Sequence, residues 1–149
     1  MASAPQTLGP AAVVGTTTWG ATLAIILARR GIEVRLLARS SEEAARLSAA
    51  GEHPRLAGHA FPEGLSVTGD WAAGLNGASV VIFAVPAQTM RENAKRAAPD
   101  IARSPVVVSA AKGLEHGTFK RMSQVLDDEE WLDRYRAAPK PLAGATVLR

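Results

Sequence analysis

Residues 11–31 read AAVVGTTTWGATLAIILARRG, and this stretch decides the fold. Its first four residues form a short continuous apolar run, which is typical of a strand buried on both faces of a sheet. Residues 21–30 are apolar almost all round and predict a helix, with Gly31 where a C-terminal cap belongs. A buried strand joined to such a helix by a glycine-bearing turn is typical of the first unit of a parallel α/β sheet.

The rest of the chain continues the alternation. Apolar runs predict further strands at 32–37, 65–68, 78–85 and 105–109, with a weaker signal at 145–148. Helices are predicted at 41–50, 71–75, 88–98 and 119–126, and residues 51–64 form a loop rich in glycine and proline. Ser40 and Glu43 fit a capping box for the second helix. We therefore expect a single, three-layered α/β domain of the Rossmann type, with a doubly wound parallel sheet, over 10–149 after an N-terminal tail at 1–9.

Composition excludes several classes of function. The chain has 149 residues and no cysteine, which rules out disulfides, thiolate catalysis and cysteine-bound metals. Its three histidines, His53, His59 and His116, are too scattered for a metal site, so we expect none. Seventeen basic and fourteen acidic residues are spread along the chain without the clustered stripe of a nucleic-acid surface. With no secretory signal and no apolar run long enough to span a bilayer, we expect a cytoplasmic protein.

The turn after the first strand carries most of the functional signal. In such sheets ligands bind at the carboxyl ends of the strands, and a dinucleotide's pyrophosphate lies at the N-terminus of the first helix. Gly15 and Gly20 stand at the first and third positions of the three-glycine fingerprint, whereas Thr17 replaces the middle glycine. Thr17 places a Cβ where the phosphate approaches, but three threonine hydroxyls offer compensating hydrogen bonds, and Thr18 is a candidate helix cap. The alternative is a purely structural turn.

The cofactor-binding residues predicted in this turn are Gly15, Thr16, Thr17, Thr18, Trp19 and Gly20.

The end of the second strand bears on the choice of cofactor. An acidic residue usually stands there to bind the ribose 2′-hydroxyl of NAD, but this chain has Arg39, followed by Ser40 and Ser41. A guanidinium beside hydroxyls suits a 2′-phosphate, so we predict that Arg39 and Ser40 bind the cofactor and that NADPH is favoured over NADH. The alternative is a solvated arginine beside a helix cap.

Two later strand ends complete the predicted site. Val85 and Pro86 end the fourth strand, where proline turns the backbone and can lay main chain against a nicotinamide; alternatively, Pro86 only terminates the strand. Lys112 follows the fifth strand among small residues, so its ammonium can bind a phosphate or polarise a carbonyl. We predict that Lys112 lies in the crevice where substrate and nicotinamide meet, against the alternative of a solvated lysine.

Together these segments resemble the N-terminal domain of the NAD(P)-dependent glycerol-3-phosphate dehydrogenases. The family's G-x-G-x-[WY]-G turn is similar to residues 15–20, and its A-V-P-x-x-x-x-R segment to residues 84–91. Its S-x-x-K-G-L-E segment matches residues 109–115, the most specific of the three motifs. Thr17 departs from the family pattern, as do His53 and Ala57 in a loop that is one residue short.

The resemblance implies reversible reduction of dihydroxyacetone phosphate to sn-glycerol 3-phosphate by a nicotinamide cofactor, which feeds phospholipid synthesis. It also implies contacts of Thr18, Trp19, Arg39 and Lys112 with the cofactor, a further contact of Lys112 with the substrate, and a homodimer for the full-length enzyme. The family's catalytic lysine belongs to a helical second domain, which we expect to lie outside these residues. We therefore expect this chain alone to bind cofactor without turnover and to contain no catalytic residue.

Two other hypotheses stay open. In the first, Thr17 has abolished cofactor binding, and the domain is a relic that serves as a scaffold or partner-binding module. In the second, the chain belongs to a related two-domain reductase that acts on keto or hydroxy acids, although the Lys-Gly-Leu-Glu segment at 112–115 argues against this.

Overall fold

A computed structural model describes residues 9–101 and 106–128. The elements in chain order are β1 (Ala11–Val14), α1 (Thr18–Arg29), β2 (Val34–Leu37), α2 (Ser41–Ala50), β3 (Leu65–Thr68), α3 (Trp71–Leu75), β4 (Val80–Phe83), a 3-10 turn (Ala87–Thr89), α4 (Met90–Ala97), β5 (Val106–Ser109) and α5 (Met122–Asp127). The strands form one parallel sheet in the order β3-β2-β1-β4-β5. The predicted doubly wound Rossmann-type fold is confirmed.

The register of the sheet aligns the ends of all five strands. Val14, the last residue of β1, is opposite Leu37 of β2 and Phe83 of β4. These in turn are opposite Thr68 of β3 and Ser109 of β5. The segments that follow the strands therefore begin side by side along one edge, where open α/β sheets bind their ligands.

The core has two halves because strand side chains alternate between the faces of the sheet. Ala11 and Val13 of β1 pack on one face with the small buried residues of α1. Ala12 and Val14 belong to the other half, which buries side chains from α3, α4 and α5. The result is the expected three layers, helix on sheet on helix.

Some element boundaries differ from prediction. Helix α1 begins at Thr18 rather than at residue 21, and β4 covers only Val80–Phe83 of the predicted 78–85. The helix predicted from residue 119 begins at Met122, because Gly117 and Phe119 take left-handed backbone conformations (φ 82° and 54°) that a helix cannot contain. Within residues 9–101 and 106–128, no helix is long and apolar enough to cross a membrane.

Three expectations lie outside the described residues: the tail at 1–8, the start of the fifth strand at 105, and the weak strand at 145–148.

Replacing Gly20 by alanine should destabilise the domain strongly. A Cβ at this position would lie 2.0 Å from the carbonyl oxygen of Gly15, so the turn or the helix must shift. We expect a loss of about 3 kcal/mol in the free energy of unfolding, at the upper end of ordinary overpacking costs, measured by urea denaturation. The control is Gly31→Ala, whose Cβ would meet nothing within 4 Å at φ +80° and should cost only about 1 kcal/mol. Equal costs would contradict this account.

Candidate functional site

The turn between β1 and α1 is pressed against the end of β4. Gly15 has φ +108°, and a Cβ there would lie 2.8 Å from both the Ala84 carbonyl oxygen and Cγ1 of Val85. Its amide donates to the carbonyl of Leu37 at 3.1 Å, which ties the turn to β2 as well. Only glycine permits this close approach with this backbone conformation. The first and third glycines of the fingerprint are therefore required by the packing of the turn.

Thr17, at the position of the middle glycine, turns its hydroxyl toward the protein. Its Oγ1 accepts from the amide of Gly20 at 3.0 Å and donates to the Ala84 carbonyl at 2.8 Å. Thr17 is thus the N-cap of α1, and the prediction that Thr18 caps the helix is wrong. The helix begins at Thr18, so the extended residue before it is the one whose side chain reaches the third amide.

The other two threonines of the turn differ in their partners. The Thr16 hydroxyl donates to Oε1 of Glu43 at 2.9 Å, so its proton is already used in a hydrogen bond within the protein. The hydroxyl of Thr18, by contrast, has no hydrogen-bond partner among the residues that the structure describes. Of the three hydroxyls expected to compensate for the missing glycine, that of Thr18 is the one that the described residues leave without a partner.

His53 supports the same turn from the loop after α2. Its ring is buried, with Nε2 3.1 Å from the carbonyl oxygen of Thr16. Because Nδ1 accepts from the backbone amide of Arg55 at 3.2 Å, the proton is assigned to Nε2, which donates to Thr16. This histidine is therefore a structural support of the turn.

Glu43 links the turn to the end of β2. Its other oxygen, Oε2, accepts from the backbone amide of Arg39 at 3.0 Å and lies 3.4 Å from the Arg39 Nε. Burial by itself would raise the pKa of Glu43, but the hydrogen bonds from Arg39 and Thr16 lower it overall. The carboxylate stays ionised and balances the charge of Arg39. Ser40 is used locally, since its hydroxyl accepts from the Glu43 amide and caps α2.

Two cavities meet at the centre of this edge. The larger, of about 610 Å³, extends from the turn toward Arg39 and α4, and the other, of about 550 Å³, extends toward Trp19 and Lys112. Both are lined by Thr17, Val85 and Pro86. The shared lining makes them two arms of one cleft that follows the carboxyl ends of the strands.

Eight of the eleven predicted residues line this cleft: Gly15, Thr16, Thr17, Trp19, Arg39, Val85, Pro86 and Lys112. Gly20 is buried inside α1, and neither Thr18 nor Ser40 is among the lining residues. Within the described part of the chain, no three acidic or histidine side chains converge on a point that could hold a metal ion.

One face of α4 and the turn before it were missed by the sequence prediction. Thr89, Glu92, Asn93 and Arg96 line the larger cavity together with Glu43 and Trp71. Their spacing of i, i+3, i+4 and i+7 is that of one helix face. These polar residues follow directly after the end of β4, and their helical spacing was the feature from which this face of α4 could have been predicted to line the site.

The loop that carries Lys112 is held from α4 and the turn before it. Gln88 donates to the carbonyl of Leu114 at 2.9 Å and accepts from the amide of His116 at 2.9 Å. Arg91 grips Glu115 with two hydrogen bonds, of 2.7 and 2.8 Å, and reaches Asp128 in α5's cap at 2.9 Å. The exposed Lys112 is thus set in position by its neighbours in the chain.

Paired charges shift the titration of this network. The hydrogen bonds from Arg91 hold the pKa of the Glu115 carboxyl at about 2, well below its usual 4.5, and the pKa of Arg91 is raised in turn. Lys120, with Arg91, lowers the pKa of Asp128. The tether of the Lys112 loop is therefore fully charged at neutral pH.

Comparison with known proteins agrees with this geometry. Residues 10–146 match the family described as NAD-dependent glycerol-3-phosphate dehydrogenase N-terminus. The chain belongs to this family.

The matches cover most of this chain but only about a third of each relative. A protein of Dehalococcoides mccartyi named glycerol-3-phosphate dehydrogenase [NAD(P)+] is 49% identical over 119 residues, which are 78% of this chain and 33% of the relative. The solved glycerol-3-phosphate dehydrogenase of Coxiella burnetii has a TM-score of 0.75 and 32% identity over 81% of this chain and 37% of that one. A ketopantoate reductase of Ralstonia eutropha has a TM-score of 0.63 and 26% identity over 80% and 37%. The chain spans about a third of the length of its curated relatives.

Replacing Thr17 by alanine should destabilise the domain. The change removes the cap of α1 and leaves the Ala84 carbonyl without its hydroxyl donor. We expect a loss of about 2 kcal/mol in the free energy of unfolding, the sum of a lost cap and a lost hydrogen bond, measured by urea denaturation. Thr22→Ala is the control, because its hydroxyl donates only to the Thr18 carbonyl within α1. If both variants unfold at the same urea concentration, the bridging role of Thr17 is wrong.

The stabilising effect of Glu115 should depend on pH. A carboxyl whose folded-state pKa of about 2 is below its usual 4.5 stabilises the fold above pH 4.5, and this contribution declines as the pH falls toward 2. We therefore expect native protein to be more stable than Glu115→Gln at pH 7, with a difference that shrinks below pH 4.5. Urea unfolding of both proteins across this range gives the difference at each pH. Glu63→Gln, at an exposed position, is the control at pH 7; a Glu115 difference that grows on acidification would contradict the account.

Proposed function

We propose that this chain is the cofactor-binding half of a glycerol-3-phosphate dehydrogenase, which interconverts dihydroxyacetone phosphate and sn-glycerol 3-phosphate. The observation that carries the proposal is the cleft with two arms centred on the N-terminus of α1. The names of the family and of its relatives supply the reaction.

The N-terminus of α1 fits a pyrophosphate. The first amides of a helix point outward without intrahelical partners, and the helix dipole favours negative charge there. Gly15 brings the turn close to the end of β4, and Gly20 brings α1 close to Gly15, without a Cβ in the way. With its hydroxyl bonded to Ala84 and Gly20, Thr17 supports the turn. Thr18 does not line the cleft as it stands, but it lies between the lining residues Thr17 and Trp19, so its hydroxyl is the one left to donate to a phosphate oxygen.

The two arms of the cleft suit the two ends of the cofactor. The larger arm lies at the end of β2, where the adenosine ribose is read in this fold, and contains Arg39. The smaller arm, with Trp19, Pro86 and Lys112, is left for the nicotinamide. A bound nicotinamide cofactor supplies or accepts the hydride. Lys112 lines this arm and is exposed, so its ammonium can contact the cofactor and the phosphate or carbonyl of the substrate.

We favour NADPH over NADH. Arg39 stands where an acidic residue would select NADH, and the larger arm contains a second arginine, Arg96. The bracketed NAD(P)+ in the relatives' names is compatible with either cofactor.

Neither alternative has comparable support. A relic in which Thr17 blocks the cofactor requires its side chain to obstruct the phosphate site, whereas its hydroxyl is bonded to β4 and α1. A ketopantoate reductase is similar in fold, but the glycerol-3-phosphate dehydrogenases share more of the sequence.

Titration with NADPH and NADH tests the proposal. Trp19 and Trp71 line the two arms, so cofactor binding should quench tryptophan emission. We expect saturable quenching without turnover of dihydroxyacetone phosphate by this chain alone. Thr18→Val should weaken both cofactors roughly tenfold, because it removes a hydrogen bond to a charged phosphate. Thr22→Val, one turn further along α1, is the matched control. No response at millimolar cofactor would reject the binding proposal.

A further inference from the structure

Arg96 is a fixed positive charge in the larger arm of the cleft. Its guanidinium carbon lies 4.1 Å from the ring centroid of Trp71, and its Nη1 donates to the carbonyl oxygen of Arg39 at 2.9 Å. The Trp71 ring is itself buried and held by a 2.7 Å hydrogen bond from its Nε1 to the Ala38 carbonyl. Stacking and hydrogen bonding together restrict a side chain that would otherwise sample many rotamers.

Arg39 is less well prepared to bind an anion. Its side chain is 82% exposed, and its Nε lies 3.4 Å from the Glu43 carboxylate. An anion that approaches Arg39 therefore meets a partly neutralised charge on a side chain that, among the described residues, is neither stacked nor bonded to backbone. Arg96 is exposed as well, but it is already held in place, so a contact with it costs less side-chain entropy than a contact with Arg39.

We infer that Arg96 determines specificity for the 2′-phosphate of NADP(H) in this cleft, an inference that rests on the proposed function. The Arg39 carbonyl bound by Arg96 belongs to the segment that reads the ribose 2′ position in this fold. The guanidinium is thus anchored beside the group that distinguishes the two cofactors. Among the described residues, its Nε and Nη2 have no hydrogen-bond partner, so they can donate to phosphate oxygens as a pair.

Glu92, on the same face of α4 as Arg96, allows a second test of the inference. Glu92 lies one turn before Arg96 and lines the same arm, where its carboxylate opposes an incoming phosphate. No ion pair joins Glu92 to Arg96 in the described part of the chain. Removing the Glu92 charge should therefore strengthen NADPH binding, whereas removing the Arg96 charge should weaken it.

The test compares dissociation constants for NADPH and NADH by calorimetry on the native chain and its variants. We expect Arg96→Ala to weaken NADPH roughly 10- to 100-fold, the range for lost charge-assisted hydrogen bonds, and to change NADH by about twofold or less. Arg96→Lys should restore part of the NADPH affinity, because it keeps the charge but not the planar fork. Lys95→Ala removes an equal charge from the neighbouring position, which does not line the arm, and should leave the ratio unchanged. Glu92→Gln should raise affinity for NADPH alone.

Three results would overturn the inference. Equal weakening of both cofactors by Arg96→Ala, which leaves their ratio unchanged, would mean that Arg96 supports the adenine base. A larger loss of NADPH selectivity in Arg39→Ala than in Arg96→Ala would return the role to Arg39. Failure of the native chain to bind either cofactor would instead reject the proposed function itself, and the inference with it.

Two smaller probes repeat the comparison: 2′,5′-ADP carries the 2′-phosphate and 5′-AMP lacks it. Arg96→Ala should weaken binding of 2′,5′-ADP but not of 5′-AMP, as it does for NADPH and NADH.

Discussion

The rest of the site depends on the contact between the turn after β1 and the end of β4. Gly15 allows that contact, since a Cβ there would overlap with the Ala84 carbonyl oxygen, and Gly20 lets α1 begin directly against the Gly15 carbonyl. Thr17 then fastens it with one hydroxyl that serves both α1 and Ala84. Because both arms of the cleft share Thr17, Val85 and Pro86, the same contact sets where the two arms meet. A threonine in place of the middle glycine is thus accommodated because its hydroxyl turns toward the protein and hydrogen-bonds there.

The fold could be predicted from the sequence because each strand of a parallel sheet is buried on both faces and therefore appears as a short apolar run. Buried strands are continuous apolar runs, and their register brings all carboxyl ends to one edge. The site residues that follow strands were accessible to the same reasoning, from Gly15 to Lys112. The first residue of a helix was harder to predict, because a cap is defined by the direction of its side chain. Helix α1 begins at Thr18, before the apolar run from which the helix was predicted.

Contacts between distant side chains could not be predicted from local pattern. Glu43 is read from the sequence as half of a capping box, yet its carboxylate binds Thr16 and the amide of Arg39. His53 lies in a loop whose composition indicates only irregular structure, yet it is the buried support of the Thr16 carbonyl. The contacts of Glu43 and His53 with Thr16 join residues 27 and 37 positions apart. They arise from tertiary packing, about which the pattern of apolar residues within one short segment gives no information.

Helix α4 connects the two arms mechanically. Arg96 reaches the end of β2 from one side of the helix, while Arg91 holds Glu115 and the Lys112 loop from another. Buried Met90 and Ala94 fix the remaining side against the core. With three sides engaged, α4 has little freedom to rotate, because a rotation that improved one arm would displace the other. The spacing between the two arms of the cleft therefore depends on this helix as well as on the sheet beneath it.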